Sequence, residues 1–195
     1  MKNHRRFSLL SCLVMLVAAL ALTGCFATKD VSLIYEVEGA KTVPSATAPR
    51  IVVVQFEDKR AVPELGYLMN GNAFQTSDSV ASWATHALAD ELAARGAQVS
   101  VALSPAQAEL NQPQYVVSGS VEKVQVMEKG VAAYVAEVRV KTHLRSASQG
   151  EVTRTFTAQQ EKTGLPGPRL VESTLAGALA EALPSAAASI MGGQR

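Results

Sequence analysis

The chain has 195 residues, and its 18 Lys and Arg nearly balance 17 Asp and Glu. No basic surplus exists for a nucleic-acid surface, and 5% aromatic content leaves few stacking platforms for bases or sugars. Two cysteines, Cys12 and Cys25, exclude a disulfide framework of several bridges.

Lys2, Arg5 and Arg6 open the chain, an apolar run extends from Phe7 to Leu22, and Leu22-Thr23-Gly24-Cys25 follows. The run is roughly 16 residues, short of the ~20 that a spanning helix needs. Basic residues before it and small residues after it fit a cleavable secretory signal. Leu, a small polar residue, Gly and Cys in that order form a bacterial lipobox. We therefore expect a signal peptide over 1–24 and lipidation of Cys25, which becomes the first residue of the mature chain; an ordinary secretory signal that happens to contain Cys25 and an uncleaved inner-membrane anchor are the alternatives. Multiple acyl chains of the palmitate type hold a protein on a bilayer far better than one does. Phe26, not Asp, follows the cysteine, which favours the periplasmic face of the outer membrane. Cleavage discards Cys12, Lys2, Arg5 and Arg6. It leaves 171 residues with 15 basic against 17 acidic groups. That length suits a single domain over 25–195.

Val31 to Tyr35 alternates as a short strand. Residues 39–50 are rich in Pro and small side chains and read as a loop or linker. Ile51-Val52-Val53-Val54-Gln55-Phe56 is a β-branched run of the kind found in buried strands. A long connection follows from Glu57 to Ser77, and connections of that length are usually functional or mobile. Ser77 or Asp78 is positioned to cap a helix. On that helix Val80, Trp83, Ala84, Ala87, Leu88 and Leu92 form one stripe, and Asp90, Glu91 and Arg95 fall mostly off it. Gly96 occupies the place of a C-terminal glycine.

A strand over Gln98–Leu103, a helical turn over Pro105–Leu110 and a three-strand meander follow. The meander strands span Tyr115–Met127, Val131–Leu144 and Glu151–Gln160, with turns at Glu128-Lys129-Gly130 and Ser148-Gln149-Gly150. In the first of them Val117 and Val121 share a parity that Val124 and Val126 break. A β-bulge at Glu122–Lys123 would return all four to one face; burial of both faces is the alternative. A last helix begins at Pro168, and Pro184 inside it predicts a kink or a split. The expected fold is α+β: a two-layer sandwich with a mostly antiparallel sheet, covered on one face by the two helices.

Several segments together resemble the YajG-like family of bacterial lipoproteins. They are the lipobox, Val31-Ser32-Leu33, Phe56-Glu57-Asp58-Lys59-Arg60, Leu88 to Gly96, and the meander before a C-terminal helix. The resemblance spans nearly the whole mature chain and implies this fold and an envelope location, without a reaction. A looser likeness, at the level of fold, links the architecture to auxiliary lipoproteins of ABC-type and lipid transport systems.

Few residues offer chemistry. Asp58 and Arg60 follow a strand end, where they would either recognise a carboxylate, sugar or peptide or pin the loop. Arg139, Lys141, His143 and Arg145 share one strand face, which is either a site for an anionic polymer or lipid headgroup or simply a solvated surface. His86 and Asp90 are spaced i, i+4 without a third catalytic member. Ser118-Gly119-Ser120 lacks the strand-turn-helix setting of a nucleophile elbow. Trp83 belongs to the core. The expectation is a noncatalytic envelope module with no metal or other cofactor, bound to the membrane through Cys25 and to an envelope protein partner. A transport auxiliary lipoprotein and a hydrolase using Glu57, Asp58 or His86 are the alternatives.

Overall fold

A computed structural model describes residues 29–37, 39, 42–130, 132–146 and 150–192. The expected signal segment over 1–24, Cys25, Ser148 and Gln149 lie outside the described residues. The strands are β1 (Lys29–Asp30), β2 (Arg50–Val54), β3 (Glu57–Asp58), β4 (Gly66–Tyr67), β5 (Ala73–Gln75), β6 (Gln98–Ala102), β7 (Tyr115–Gly130), β8 (Ala133–Ser146) and β9 (Gly150–Thr163). The helices are α1 (Val80–Ala94), α2 (Pro105–Leu110) and α3 (Pro168–Gly192).

β7 is the spine of the sheet. One of its edges pairs along its length with β8, which pairs in turn with β9. Its other edge is shared by three short segments in succession. β2 pairs at Tyr115–Val117, β3 at Ser120–Val121 and β4 at Val126–Met127. β6 flanks β2, while β5 and then β1 extend the sheet beyond β4.

The sheet is mixed, which corrects the mostly antiparallel expectation. β1–β5, β2–β6, β2–β7, β3–β7 and β4–β7 are parallel, whereas β4–β5, β7–β8 and β8–β9 are antiparallel. The physical reason is the connection through α1. A helical crossover returns the chain in its original direction, so β6 must run parallel to β2. The 57–77 connection likewise contains three strands, β3, β4 and β5. Each has two or three residues, too few for a periodic pattern to show.

Of the two readings of the valine parity, the structure has the bulge. Val121 pairs with Val140 and Lys123 with Arg139, so Glu122 is the extra residue. Val117, Val121, Val124 and Val126 consequently all enter the main core at 3% exposure or less. β8 alternates as expected, with Val138, Val140 and Leu144 buried and Arg139, Lys141 and His143 on the other face.

α1 and α3 cover the same face of the sheet and pack on each other. Val80, Trp83, Ala84, Ala87, Leu88 and Leu92 of α1 meet Val171, Leu175, Leu179, Leu183 and Ile190 of α3 in one cluster with the sheet valines. Each large aliphatic side chain so buried contributes about 1.5–3 kcal/mol. The opposite face has a smaller cluster, Val52, Val54, Ala102, Ala108 and Val116, capped by α2. α3 is long and apolar enough to cross a membrane by length and composition alone. Its buried stripe instead lies on β8 and β9.

The cap of α1 is Ser79, one and two residues beyond the expected Asp78 and Ser77. Its hydroxyl accepts from the Ser82 N–H at 3.2 Å. At the far end Gly96 has φ +87°. The Gly96 and Ala97 N–H groups donate to the Ala93 and Leu92 carbonyls at 2.9 and 3.1 Å, the paired bonds of a Schellman motif. α3 runs through Pro184 without being divided.

The N-terminal segment also differs from expectation. Among the described residues of this segment only Lys29–Asp30 pair as a strand, and the Val31 N–H extends that ladder by one bond to the Gln75 carbonyl at 2.8 Å. Residues 32–37 then leave the sheet and cross the helix layer as a strap. Val31, Leu33 and Tyr35 still point inward. Alternation therefore reported one buried side correctly, although helices and not a neighbouring strand supply it.

Candidate functional site

Asp58 and Arg60 form a closed pair. Arg60 Nε and Nη2 donate to the two Asp58 carboxylate oxygens at 2.9 and 2.8 Å, and Nη1 donates to the Pro63 carbonyl at 3.1 Å. The Arg60 side chain is 9% exposed. Its hydrogen bonds, chiefly the side-chain ones, hold the Asp58 carboxyl below the ordinary range. Both groups are thus spent on fixing the 58–63 corner, and the guanidinium has little surface left for a ligand.

The candidate cationic row on β8 is largely neutralised by neighbours. Arg139 donates to Glu137 at 3.2 Å, and Glu137 also accepts from Lys123 at 2.6 Å. Arg145 pairs with Glu109 of α2. His143 Nδ1 lies 2.8 Å from the Thr153 hydroxyl and 3.4 Å from Glu151. Glu57 pairs with Lys59 at 2.7 Å, and that contact holds its carboxyl low. The outer face of β7–β9 is therefore a mosaic of alternating charge and not a one-signed field. The Lys141 side chain is half-buried within it.

His86 and Asp90 are both exposed on α1. Trp83 is 7% exposed and its indole N–H has no hydrogen-bond partner. Among the described residues no group of three or more His, Cys, Asp or Glu is arranged to hold a metal ion.

The most organised polar site was not visible in the sequence. It forms where the strap crosses α1 and α3. The Tyr35 hydroxyl donates to Glu91 at 2.6 Å. Arg95, one turn further along α1, pairs with the same carboxylate and reaches the Glu91 carbonyl at 3.0 Å and the Pro184 carbonyl of α3 at 3.3 Å. The Glu91 side chain is only 5% exposed. Burial first, and the bond to Glu91 second, push the Tyr35 hydroxyl far above its ordinary pKa. Two further carboxylates grip the strap backbone: Glu172 accepts from the Ser32 N–H at 3.0 Å and Asp78 from the Leu33 N–H at 2.8 Å. Cavities of about 430 and 330 Å³ open on either side of Tyr35. The i, i+4 spacing of Glu91 and Arg95 was the one legible sign of this network. Tyr35 lies 56 residues away, so nothing local linked it to them.

No protein-family model matches the chain, and no curated protein matches it either. Solved structures do. Protein XCC0632 from Xanthomonas campestris, described as family-model DUF330, has a TM-score of 0.60 at 13% identity over 86% of this chain and 97% of that one. An uncharacterised protein has a TM-score of 0.51 at 14% identity over 86% and 99%. A PelC dodecamer from Paraburkholderia phytofirmans has a TM-score of 0.46 at 24% identity over 75% and 93%. At these identities the first two likenesses establish a shared fold.

Proposed function

We propose that this chain is a noncatalytic lipoprotein of the bacterial envelope. In this reading Cys25 is acylated, the domain sits at the periplasmic face of the outer membrane, and the outer face of β7–β9 meets an envelope protein partner. The observation that carries the reading is the lipobox, whose Cys25 is four residues ahead of Lys29, with Lys29 already paired in the sheet. The YajG-like resemblance points the same way.

The mosaic of charges on β8 supports protein recognition over capture of an anionic polymer, because interspersed signs give register and partner choice. A hydrolytic role finds little support in the candidates. The Asp58 carboxylate is held by Arg60, and His86 stands exposed on its helix. A second reading, an auxiliary lipoprotein of a lipid or ABC-type transport system, draws on the looser family likeness and would make the partner a transporter.

Mass spectrometry of the membrane fraction tests the anchor. An acylated N-terminal Cys25 is expected, together with release of Cys25→Ser into the soluble fraction; an unmodified chain there overturns the proposal. Crosslinking in cells from Lys141 tests the partner face. One reproducible envelope protein is the expected capture, and a diffuse set of abundant proteins counts against the face.

A further inference from the structure

We propose that the end of the sheet carrying the β4–β5 hairpin tip and the β9–α3 loop lies against the phospholipid bilayer, with Met69 and Leu165 in its interfacial layer. The inference rests on acylation of Cys25 as proposed above.

The topology decides which end of the domain is involved. β1 runs parallel to β5, with Lys29 beside Phe74. β1 therefore begins at the end of the sheet that carries the β4–β5 turn, which closes through the Gly71 N–H to the Leu68 carbonyl at 2.9 Å. Cys25 is four residues before Lys29, a reach of at most about 14 Å. The acyl chains therefore enter the bilayer beside that hairpin tip. β7 and β8 turn at the same end. β9 finishes there opposite Ala133, with the Gly164 N–H on the Ala132 carbonyl at 3.0 Å.

Both tips present apolar side chains to solvent. Met69 is 76% exposed and Leu165 is 92% exposed, and Tyr67 and Met127, side by side behind the hairpin, are 46% and 44% exposed. Large apolar groups at two loop tips on the same end of the sheet, with the β7–β8 turn between them, suit an interface of headgroups and first methylenes. Charge at this end is mixed: Lys162 and Arg169 border the cavity beside the β9–α3 loop together with Glu36 and Glu172, and Glu128 accepts from the Met69 N–H at 2.8 Å, so the two cations nearest Leu165 are the ones placed to meet anionic headgroups. α2 carries Leu110, also 81% exposed. Glu109 beside it pairs with Arg145, which is opposite Val116 of β7, ten residues down the strand from Val126. At 3.2–3.4 Å per residue that is roughly 30 Å from the tethered end, beyond the tether's reach.

The test uses the acylated full chain in vesicles of phosphatidylethanolamine and phosphatidylglycerol. An environment-sensitive fluorophore is placed in turn on Met69→Cys, Leu165→Cys and Leu110→Cys. Labels at 69 and 165 should shift to the blue and be quenched by bromine on the lipid acyl chains, and the label at 110 should do neither. Combining Lys162→Glu and Arg169→Glu should cut quenching at 165 severalfold. Labels at 69 and 165 that stay as water-exposed as the one at 110 overturn the inference. So does an equal blue shift in vesicle-free detergent solution that grows with protein concentration, which would mark a second copy as the occupant. Mass spectrometry on the same sample separates the two failures. An unacylated chain defeats the anchor reading, whereas an acylated chain with silent tips defeats only this one.

Discussion

Tyr35 and Glu91, 56 residues apart, are joined by a 2.6 Å hydrogen bond that fastens the N-terminal strap to α1. The carboxylate is 5% exposed and shared with Arg95, so the half-buried hydroxyl is one of the donors that satisfy a buried acceptor. Leaving such a carboxylate short of one donor is costly.

Tyr35→Phe should therefore lower stability by about 1.5–3 kcal/mol, the range for hydrogen bonds to charged groups. Urea unfolding at neutral pH measures it. The pH dependence has a definite sign. The folded pKa of Tyr35 lies above its unfolded value, so the contribution is complete below pH ~10 and is lost as the pH rises beyond it. The gap between wild type and Tyr35→Phe should narrow from pH 8 to pH 10.5. A constant gap would show that the hydroxyl is not held as described.

The corner at Asp58 has the opposite sign. Arg60 depresses the folded pKa of Asp58, so its contribution is present above the unfolded value near 3.9 and fades as pH falls through the lower folded one. The Asp58 side chain is 38% exposed, which limits the effect to about 1 kcal/mol. Asp58→Asn should cost that much at pH 7 and progressively less toward pH 2. Thermal melts at both ends of the range decide the matter.

Two glycines of the β4–β5 hairpin separate steric from conformational demands. Gly66 has φ +137°, and a Cβ there would lie 1.8 Å from the Val126 carbonyl oxygen. Gly71 has φ +84° with nothing within 4 Å. Gly71→Ala should cost about 1–2 kcal/mol, the price of a left-handed residue. Gly66→Ala should cost upward of about 3 kcal/mol, because β4 must separate from β7. Comparable unfolding midpoints for the two variants would contradict this geometry.

The bulge in β7 makes a prediction about deletions. Removing Glu122 restores regular alternation and keeps Val124 and Val126 inward, so the loss should stay within about 1 kcal/mol. Removing Gln125 moves Val126, now fully buried, to the opposite face and should cost about 1.5–3 kcal/mol or more. Amide exchange across β8 reports the register in each case.

Elements whose pattern extends over many residues could be read from the chain. The α1 stripe from Val80 to Leu92, the alternation of Glu137 to Arg145 and the parity break at Glu122 each encode a face locally, and the structure agrees with them. Strand direction and order could not be read, since β2 carries the same valines whether its neighbours run with it or against it. β3 and β4 have two residues each and owe their existence to the free edge of β7. At the candidate sites, sequence placed Asp58 beside Arg60 and aligned the β8 cations, but the carboxylates that neutralise them come from Glu109, Glu137 and Glu151 on several elements. Glu91 looked like a solvent-facing residue, since nothing in α1 reveals that a strap from residues 32–37 will lie over it.

That strap has a mechanical consequence. A pull on the N-terminus meets first a two-residue strand, then two backbone donors held by Asp78 and Glu172, and then the Tyr35 clasp. Under tension these attachments would peel one after another while β2, β7 and both long helices stay loaded lightly. Freeing residues 29–37 would release about 30 Å of extended chain, so the fold carries a built-in slack that yields before its core does.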